Sequence, residues 1–206
     1  MGASLPKQYL PLSGQPIACY SFVLLSRLTS IDSIVVVCEE EYETLFEGAI
    51  FARPGPRRQD SLAKGLEKAP SDTDLILVHD AARPLIAEED VLRVIDAAKI
   101  HGAATLATPV KATIKEGDPN QMVTKTLKRS TLFEIQTPQV VRKEILQEGL
   151  AHANENNLTV TDDVSLAELL LKPTKLVEGS NDNIKITTPE DLAFAQYILD
   201  ERALVH

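Results

Sequence analysis

Charged side chains of both signs follow a short apolar run, residues 74–79, where a strand of this type would end. Asp80 leaves the run, the small Ala81 and a second alanine come next, and Arg83 follows. A carboxylate at this place suits a divalent cation that bridges phosphates, and an arginine binds phosphate through two hydrogen bonds. The small residues let a ligand approach the backbone. A purely structural Asp–Arg pair in a turn explains the same residues equally well, so the motif alone leaves both interpretations open.

Two lysines near the ends of the chain add positive charge. Lys7 lies between proline and glutamine near the start, and Lys185 alternates with Ile184 and Ile186 in a polar segment near the end. Such a lysine is usually a surface residue; the alternative is that both lysines lie beyond the same sheet edge, where ligands of such sheets bind. Two lysines and two arginines beside a metal-binding carboxylate favour polyphosphate chemistry, in which positioning and charge neutralisation provide most of the catalysis.

Composition limits the function classes. The 206 residues carry a formal net charge of −9, which argues against binding nucleic acid through a basic surface. Cys19 and Cys38 stand in apolar surroundings without metal-ligand spacing, and we expect buried free thiols. No apolar run approaches the ~18 residues of a membrane span, and the sequence does not open with a signal peptide. We therefore expect a soluble, intracellular protein without a membrane or nucleic-acid partner.

Strand-like and helical patterns alternate along the chain. Apolar, β-branched runs predict buried parallel strands at Ile31–Glu39, Asp74–His79 and Ala103–Val110. Apolar residues at helical spacing predict helices at Gln59–Ala69 and Ala87–Ile100, and Thr188-Pro189 predicts the start of a helix that runs to about Arg202. This order predicts an α/β fold with a doubly wound, mostly parallel sheet.

The middle of the chain interrupts this order. Ala112–Glu116 and Met122–Leu127 are short alternating stretches joined by a polar turn, which predicts a β-hairpin. Two short strands are marginally stable alone, so the hairpin needs a domain of its own or a second subunit to lie against. On the pattern alone, its face with Lys111, Thr113 and Lys115 is better explained as a solvated edge strand whose lysines prevent aggregation. We interpret residues 1–206 as one domain with a protruding arm, residues 111–131.

Two further threonine motifs end or begin elements. A strand-like run ends in Thr137-Pro138, and Thr161 is a candidate helix cap with Asp162 and Asp163 in the first turn. Capping alone is sufficient to explain the second motif.

Six motifs together carry a resemblance that none carries alone. They are PKQY at Pro6–Tyr9, RQDS at Arg58–Ser61, HDAARP at His79–Pro84, TPQ at Thr137–Gln139, TDD at Thr161–Asp163 and DNIK at Asp182–Lys185. In this order they resemble the 2-C-methyl-D-erythritol 4-phosphate cytidylyltransferase family along essentially the whole chain. The resemblance implies a Rossmann-like nucleotidyltransferase fold and an enzyme of non-mevalonate isoprenoid biosynthesis.

The resemblance also implies roles for single residues. On the CTP side it implies that Lys7 and Lys185 are catalytic. It also implies a CTP-binding site formed by Gly55, Ser61, Asp80, Ala81 and Arg83. On the methylerythritol phosphate side it implies Thr113, Arg129, Thr137 and Thr161. Asp80 would bind Mg²⁺ or another hard divalent cation. The arm would clasp a second subunit and make a homodimer, in a bacterial cytoplasm or in the plastid stroma of a plant or alga.

The start of the sequence departs from the family pattern. Similar proteins begin with an apolar strand and a glycine-rich loop that ends in an arginine, and the printed sequence has neither before Lys7. We expect about 20 further residues in the native product, since a strand and a phosphate loop need that length. Pro56 also lacks a backbone donor beside the expected cytosine site.

Two alternatives remain open from the sequence. A ribitol-5-phosphate cytidylyltransferase would share the nucleotide half of the site. A catalytically inactive dimeric binding protein would follow if the departure at the start is genuine. A dinucleotide-binding oxidoreductase fits the fold class but lacks a GxGxxG motif after any strand.

Overall fold

A computed structural model describes residues 5–204. The described residues form ten strands, β1 (Pro11–Leu12), β2 (Gln15–Pro16), β3 (Val35–Val37), β4 (Ile50–Ala52), β5 (Leu75–Val78), β6 (Ala103–Pro109), β7 (Lys115–Gly117), β8 (Val123–Thr126), β9 (Phe133–Arg142) and β10 (Lys175–Glu178). The helices are α1 (Ile17–Arg27), α2 (Arg58–Lys68), α3 (Glu88–His101), α4 (Lys143–Glu155), α5 (Ser165–Leu169) and α6 (Pro189–Leu204). Every strand and helix predicted from the alternating patterns is present, although the strand at 31–39 shortens to β3.

The main sheet has the strand order β10-β6-β9-β5. β10 runs parallel to β6, while β9 is antiparallel to both of its neighbours, so β5, β6 and β10 run in one direction. β3 and β4 form a separate parallel pair. The predicted mostly parallel α/β architecture is confirmed. One detail of the prediction is wrong: the strand does not end at Thr137-Pro138, because β9 continues through both residues to Arg142.

Helices cover both faces of the main sheet. On one face, α1 and α3 pack through Leu25 and Val91 against Leu106 and Val140. On the other face, α2 and α4 pack through residues such as Leu66 and Leu146 against Ala103 and Val141. Neighbouring residues of a strand point to opposite faces, which is why Val140 and Val141 belong to different clusters. The sheet is therefore buried on both sides along β6 and β9.

The last helix begins as its sequence predicts. The Thr188 hydroxyl accepts a hydrogen bond from the Asp191 N–H at 3.2 Å, and the Asp191 carboxylate accepts the N–H groups of Thr187 and Thr188. These hydrogen bonds satisfy backbone donors that a helix start leaves free. The Thr187 hydroxyl also donates to the Asp191 carboxylate, and this bond, followed by that of the Thr187 N–H, lowers the pKa of Asp191 below its ordinary value. α6 packs onto a third apolar cluster that includes Leu85 and Ile186.

A cavity of about 1140 Å³ separates β3 from β5. Both strands line it, and residues of α1 and α2 close its two faces. Ile34 and Cys38 hydrogen-bond to β4, so alternation directs the backbone groups of Val35 and Val37 away from β4, towards the cavity. Each residue of β3 and β5 is only partly buried. The two strands therefore face each other with open hydrogen-bonding edges.

The predicted arm is a β-hairpin. β7 and β8 pair antiparallel, with Lys115 opposite Thr126, and every residue of both strands is exposed. Arg129 donates a hydrogen bond to the Lys111 carbonyl at 2.8 Å, which ties together the two ends of the arm. Between residues 5 and 204 no helix has the length and apolar character to cross a membrane. Cys19 and Cys38 are buried and free, as expected.

Candidate active site

The turn after β5 carries the best-connected charged residues of the predicted set. Its backbone is closed by a hydrogen bond from the Arg83 N–H to the Asp80 carbonyl at 2.9 Å. The Asp80 N–H donates to the Thr137 hydroxyl at 3.0 Å, which fixes the turn to β9. Thr137 is buried. The side chain of Thr137 on β9 thus supports the turn.

Asp80 lies between two cations. Its carboxylate is 2.9 Å from the Lys185 Nζ and 3.4 Å from the Arg83 Nε. Burial disfavours the charged carboxylate, but the hydrogen bond and charge of Lys185, with the charge of Arg83, outweigh it and lower the pKa of Asp80. Asp80, Arg83 and Lys185 are therefore all charged and together carry one net positive charge. A phosphate site needs this electrostatic character.

Arg83 is held by backbone carbonyls, and among the described residues its Nε is buried without a hydrogen-bond acceptor. Its Nη1 donates to the Asn183 carbonyl at 2.7 Å and its Nη2 to the Ile135 carbonyl at 3.4 Å. The buried Nε has no hydrogen-bond acceptor within residues 5–204, because its contact with Asp80 lacks hydrogen-bond geometry. Burial lowers the pKa of Arg83, although Asp80 raises it.

Asn183 anchors the segment that carries Lys185. Its side chain is fully buried and donates to the Gln136 Oε1 at 3.0 Å and to the Thr137 carbonyl at 2.8 Å. The motifs HDAARP, TPQ and DNIK are therefore joined by hydrogen bonds. Their order in the sequence alone did not require this contact. Asp80, Arg83, Thr137 and Lys185 are brought together.

His79 lies beneath the turn. Its Nε2 is 3.0 Å from the Arg83 carbonyl and its Nδ1 is 3.2 Å from the Thr137 hydroxyl. Burial is the largest influence and lowers the pKa of His79 to about 4, while the Arg83 carbonyl and Asp80 act in the opposite direction. The histidine is therefore neutral at physiological pH.

An ion pair between an exposed arginine and a buried aspartate near the site was missed by sequence reasoning. The Arg58 guanidinium binds the Asp163 carboxylate through two hydrogen bonds of 2.7 and 2.5 Å. Asp163 is fully buried, and this burial raises its pKa even though Arg58 opposes the shift. Gln139 accepts the N–H groups of Asp163 and Val164. The pair joins residues 105 positions apart, and no local pattern signals such a contact.

The prediction for the TDD motif is wrong in its capping geometry. α5 begins at Ser165, so Asp162 and Asp163 precede it and do not form its first turn. The Asp162 carboxylate, not Thr161, accepts the Ser165 N–H, at 3.0 Å. Thr161 is exposed. The local preference for a short polar residue before the helix was right, but it selected the wrong member of the motif.

Gly55 and Ser61 meet at the start of α2. The Ser61 hydroxyl accepts the Gly55 N–H at 3.0 Å. A Cβ on Gly55 would lie 2.5 Å from the Asp60 Cβ, so only glycine permits this approach. Ser61, Asp80 and Ala81 all line the end of the cavity between β3 and β5. The predicted cytidine-side residues thus border the same space as the turn after β5.

The remaining predicted residues lie outside this hydrogen-bonded group. Lys7 starts a 3₁₀ turn, Lys7–Tyr9, whose Tyr9 ring stacks on Tyr42 at 3.6 Å. In the described part of the chain, no ion pair joins Lys7 to a carboxylate. Thr113 and Arg129 are exposed in the arm. Within residues 5–204 no cluster of three or more histidine, cysteine or acidic side chains has metal-binding geometry, which leaves Asp80 as a single candidate ligand.

Comparisons with known proteins agree on one family. The model of the 2-C-methyl-D-erythritol 4-phosphate cytidylyltransferase family matches residues 1–201. A chloroplastic protein of that name from Oryza sativa subsp. japonica is 49% identical over 98% of this chain and 71% of its own length. The protein of that name from Chlamydia abortus is 44% identical over 96% of this chain and 89% of its own.

Solved structures agree with the sequence comparisons. The 4-diphosphocytidyl-2C-methyl-D-erythritol synthase of Anaerococcus prevotii superposes with a TM-score of 0.87 at 30% identity, covering 94% of this chain and 93% of that one. The 2-C-methyl-D-erythritol 4-phosphate cytidylyltransferase of Thermus thermophilus superposes with a TM-score of 0.83 at 32% identity, with the same coverage. The comparison of folds and the comparison of sequences therefore point to the same family.

Proposed function

The chain belongs to the 2-C-methyl-D-erythritol 4-phosphate cytidylyltransferase family, and we propose that it joins CTP to 2-C-methyl-D-erythritol 4-phosphate. The products are 4-diphosphocytidyl-2-C-methyl-D-erythritol and pyrophosphate. The observation that carries the proposal is the cluster of Asp80, Arg83 and Lys185 at the carboxyl end of β5, which has one net positive charge. Ligands of α/β sheets bind at this edge.

The reaction is a single displacement at phosphorus. A phosphate oxygen of methylerythritol phosphate forms a bond to the α-phosphorus of CTP, and the bond to the pyrophosphate oxygen breaks. No proton transfer is needed, so the chain's task is to align two anions and to stabilise the added negative charge. Lys185 would do so, and its contact at 2.9 Å with Asp80, the proposed metal ligand, supports this role. Lys7 would bind the CTP phosphates.

Asp80 fits the role of a magnesium ligand. Mg²⁺ in nucleotide enzymes is commonly held by one or two carboxylates together with substrate phosphates and water, so a single carboxylate suffices. When bound, the ion would neutralise phosphate charge and orient the α-phosphate. Asp80 would hold the ion, and Arg83 and Lys185 would hold the phosphates around it. The lowered pKa of Asp80 keeps the carboxylate ionised for this purpose.

The cytidine and alcohol subsites would lie on either side of the turn. Gly55 and Ser61 would contact cytosine, with Ala81 exposing backbone to the nucleotide. Thr137 and Thr161 would line the methylerythritol phosphate pocket. Thr113 and Arg129 would reach the same pocket of a second subunit through the arm, making the enzyme a homodimer. The exposed Met122 and Val123 of the arm support this proposal, since a second subunit would bury these apolar side chains.

Pyrophosphate release tests the proposed function. The purified chain is incubated with CTP and Mg²⁺ and with either methylerythritol phosphate or ribitol 5-phosphate. We expect pyrophosphate release when methylerythritol phosphate is the second substrate and none when ribitol 5-phosphate takes its place. Release only with ribitol 5-phosphate would reassign the substrate, and no release by folded protein would leave a binding protein. Native mass spectrometry of the same sample measures the proposed dimer, and deletion of residues 112–127 is expected to give monomers.

A further inference from the structure

Five polar residues around the turn after β5 form a closed hydrogen-bonded circuit. The Asp80 N–H donates to the Thr137 hydroxyl, and that hydroxyl contacts the His79 Nδ1. The His79 Nε2 contacts the Arg83 carbonyl, and the Arg83 Nη1 donates to the Asn183 carbonyl. Asn183 closes the circuit by donating to the Thr137 carbonyl. Asp80, Arg83 and Thr137 have proposed substrate or metal roles, but His79 has none.

The circuit determines where the protons lie on His79. The Thr137 hydroxyl has one proton, and its oxygen already accepts from the Asp80 N–H, so its proton is available for the His79 Nδ1. The Arg83 carbonyl is only an acceptor, so the His79 Nε2 must donate to it. A neutral ring with the proton on Nε2 satisfies both contacts. The imidazole thus bridges the far end of the turn to β9.

We propose that His79 is a positioning residue that fixes the turn from Asp80 to Arg83 against Thr137 and so sets the phosphate-binding groups. Both of its ring nitrogens are engaged within the protein, by Thr137 and by the Arg83 carbonyl. The turn has one internal backbone hydrogen bond, from Arg83 to Asp80, and His79 holds the carbonyl of the same arginine from below. The inference rests on the proposed function for its kinetic consequence but not for its proton assignment.

The proton assignment is tested first, because it needs no activity. The full chain is labelled with ¹⁵N at histidine, and the ring nitrogens are read by NMR at pH 7.5, with His79 identified by its loss in His79→Gln. We expect a protonated Nε2 and an unprotonated Nδ1. In Thr137→Val the His79 Nδ1 signal is expected to shift, since its donor is lost. A proton on Nδ1, or an unmoved signal in Thr137→Val, would overturn the proposal.

Kinetics then test the positioning role. His79→Phe removes both ring contacts, whereas His79→Gln keeps a donor that reaches the Arg83 carbonyl. We expect kcat to fall about 10- to 100-fold in His79→Phe, as for partners that orient ligand-binding side chains, and less than tenfold in His79→Gln. His101→Phe, the same change at an exposed histidine on α3, is the control and keeps full kcat. Rates are taken at temperatures where circular dichroism shows each variant folded.

The two experiments separate the possible failures. If the wild-type chain releases no pyrophosphate, the proposed function fails while the NMR result still decides the proton assignment. If the wild-type chain is active and folded His79→Phe keeps full kcat, His79 has only a structural role and the proposal is overturned. Loss of kcat in His79→Phe with partial recovery in His79→Gln supports it, because a merely structural residue would alter stability and not turnover per folded molecule.

Discussion

Strands β6 and β5 are both predicted from the sequence as buried strands but differ in their surroundings. β6 lies between β10 and β9, and Ala103, Ala104 and Leu106 are fully buried. β5 is paired only with β9, and its other edge faces the 1140 Å³ cavity towards β3, with all four residues partly exposed. Apolar composition alone therefore does not make a core strand. Pairing on both edges does.

This difference matters because the candidate active site straddles the two regions. The turn after β5 is fixed to β9 through Thr137, on the closed side. Ser61 and Ala81 border the cavity, on the open side. The cations that we propose to bind phosphate thus have a well-packed support, whereas the proposed nucleotide side adjoins two open strand edges.

The largest effect is expected at the closed side of the site. Lys185→Gln removes the ammonium that contacts Asp80 and, in our proposal, the reacting phosphates. We expect kcat/KM for pyrophosphate release to fall by about 10²- to 10³-fold, as when one preorganised charge-stabilising donor is lost. Lys175→Gln changes an exposed lysine of β10 in the same way and is the control. Equal activity of the two variants would show that Lys185 is not part of the site.

Core truncations measure the comparison itself. Leu106→Ala, in fully buried β6, is expected to cost about 2–5 kcal/mol of unfolding free energy, because transfer and cavity terms both apply. Leu77→Ala, in β5 beside the existing cavity, is expected to cost only about 1–2 kcal/mol, since its burial is incomplete. Urea unfolding of both variants gives the two values. Equal losses would mean that β5 is as tightly packed as β6.

Acid is expected to weaken the turn after β5. The pKa of His79 is about 4 when folded against 6.5 for the ordinary side chain, so the unfolded chain takes up the proton first as the pH falls. The stabilisation from neutral His79 is complete above about pH 6.5 and is lost by about pH 4, a change of about 2–3 kcal/mol. Urea unfolding across this range is compared with His79→Gln, which cannot titrate. Identical pH dependence of the two proteins would contradict the shift.

The smallest expected effect is in hydrogen exchange. The N–H groups of Val35 and Leu77 point into the cavity, whereas those of Ala104 and Thr105 lie in a strand paired on both edges. We expect at least about tenfold faster exchange for the first pair, because an amide N–H at an open strand edge has no hydrogen bond that must break before it exchanges. NMR-detected exchange at pH 7 measures all four. Equal protection would remove the contrast between the two regions.

The sequence was informative where a local pattern has a local cause. The apolar runs predicted β5 and β6, and Thr188 predicted the start of α6, because strand burial and helix capping depend on neighbours in the chain. HDAARP predicted a charged turn after a strand, and the structure adds that Lys185 reaches it.

Contacts between distant parts of the chain were not accessible in this way. The antiparallel course of β9 and the pairing of Arg58 with Asp163 depend on how elements separated by tens of residues pack together. His79 was treated as part of a motif rather than as a residue with two bonded nitrogens, because its partners, Thr137 above all, lie on another strand. Burial and pairing had to be known before their roles could be stated.

The most direct test of the central claim compares the wild-type chain with Asp80→Asn. Both are given CTP, methylerythritol phosphate and Mg²⁺, and the cytidine product and pyrophosphate are quantified by mass spectrometry. We expect turnover by the wild-type chain and at least about 10²-fold slower turnover by Asp80→Asn, since the variant loses the proposed metal carboxylate. Undiminished turnover in Asp80→Asn, or no product from folded wild-type protein, would contradict the account.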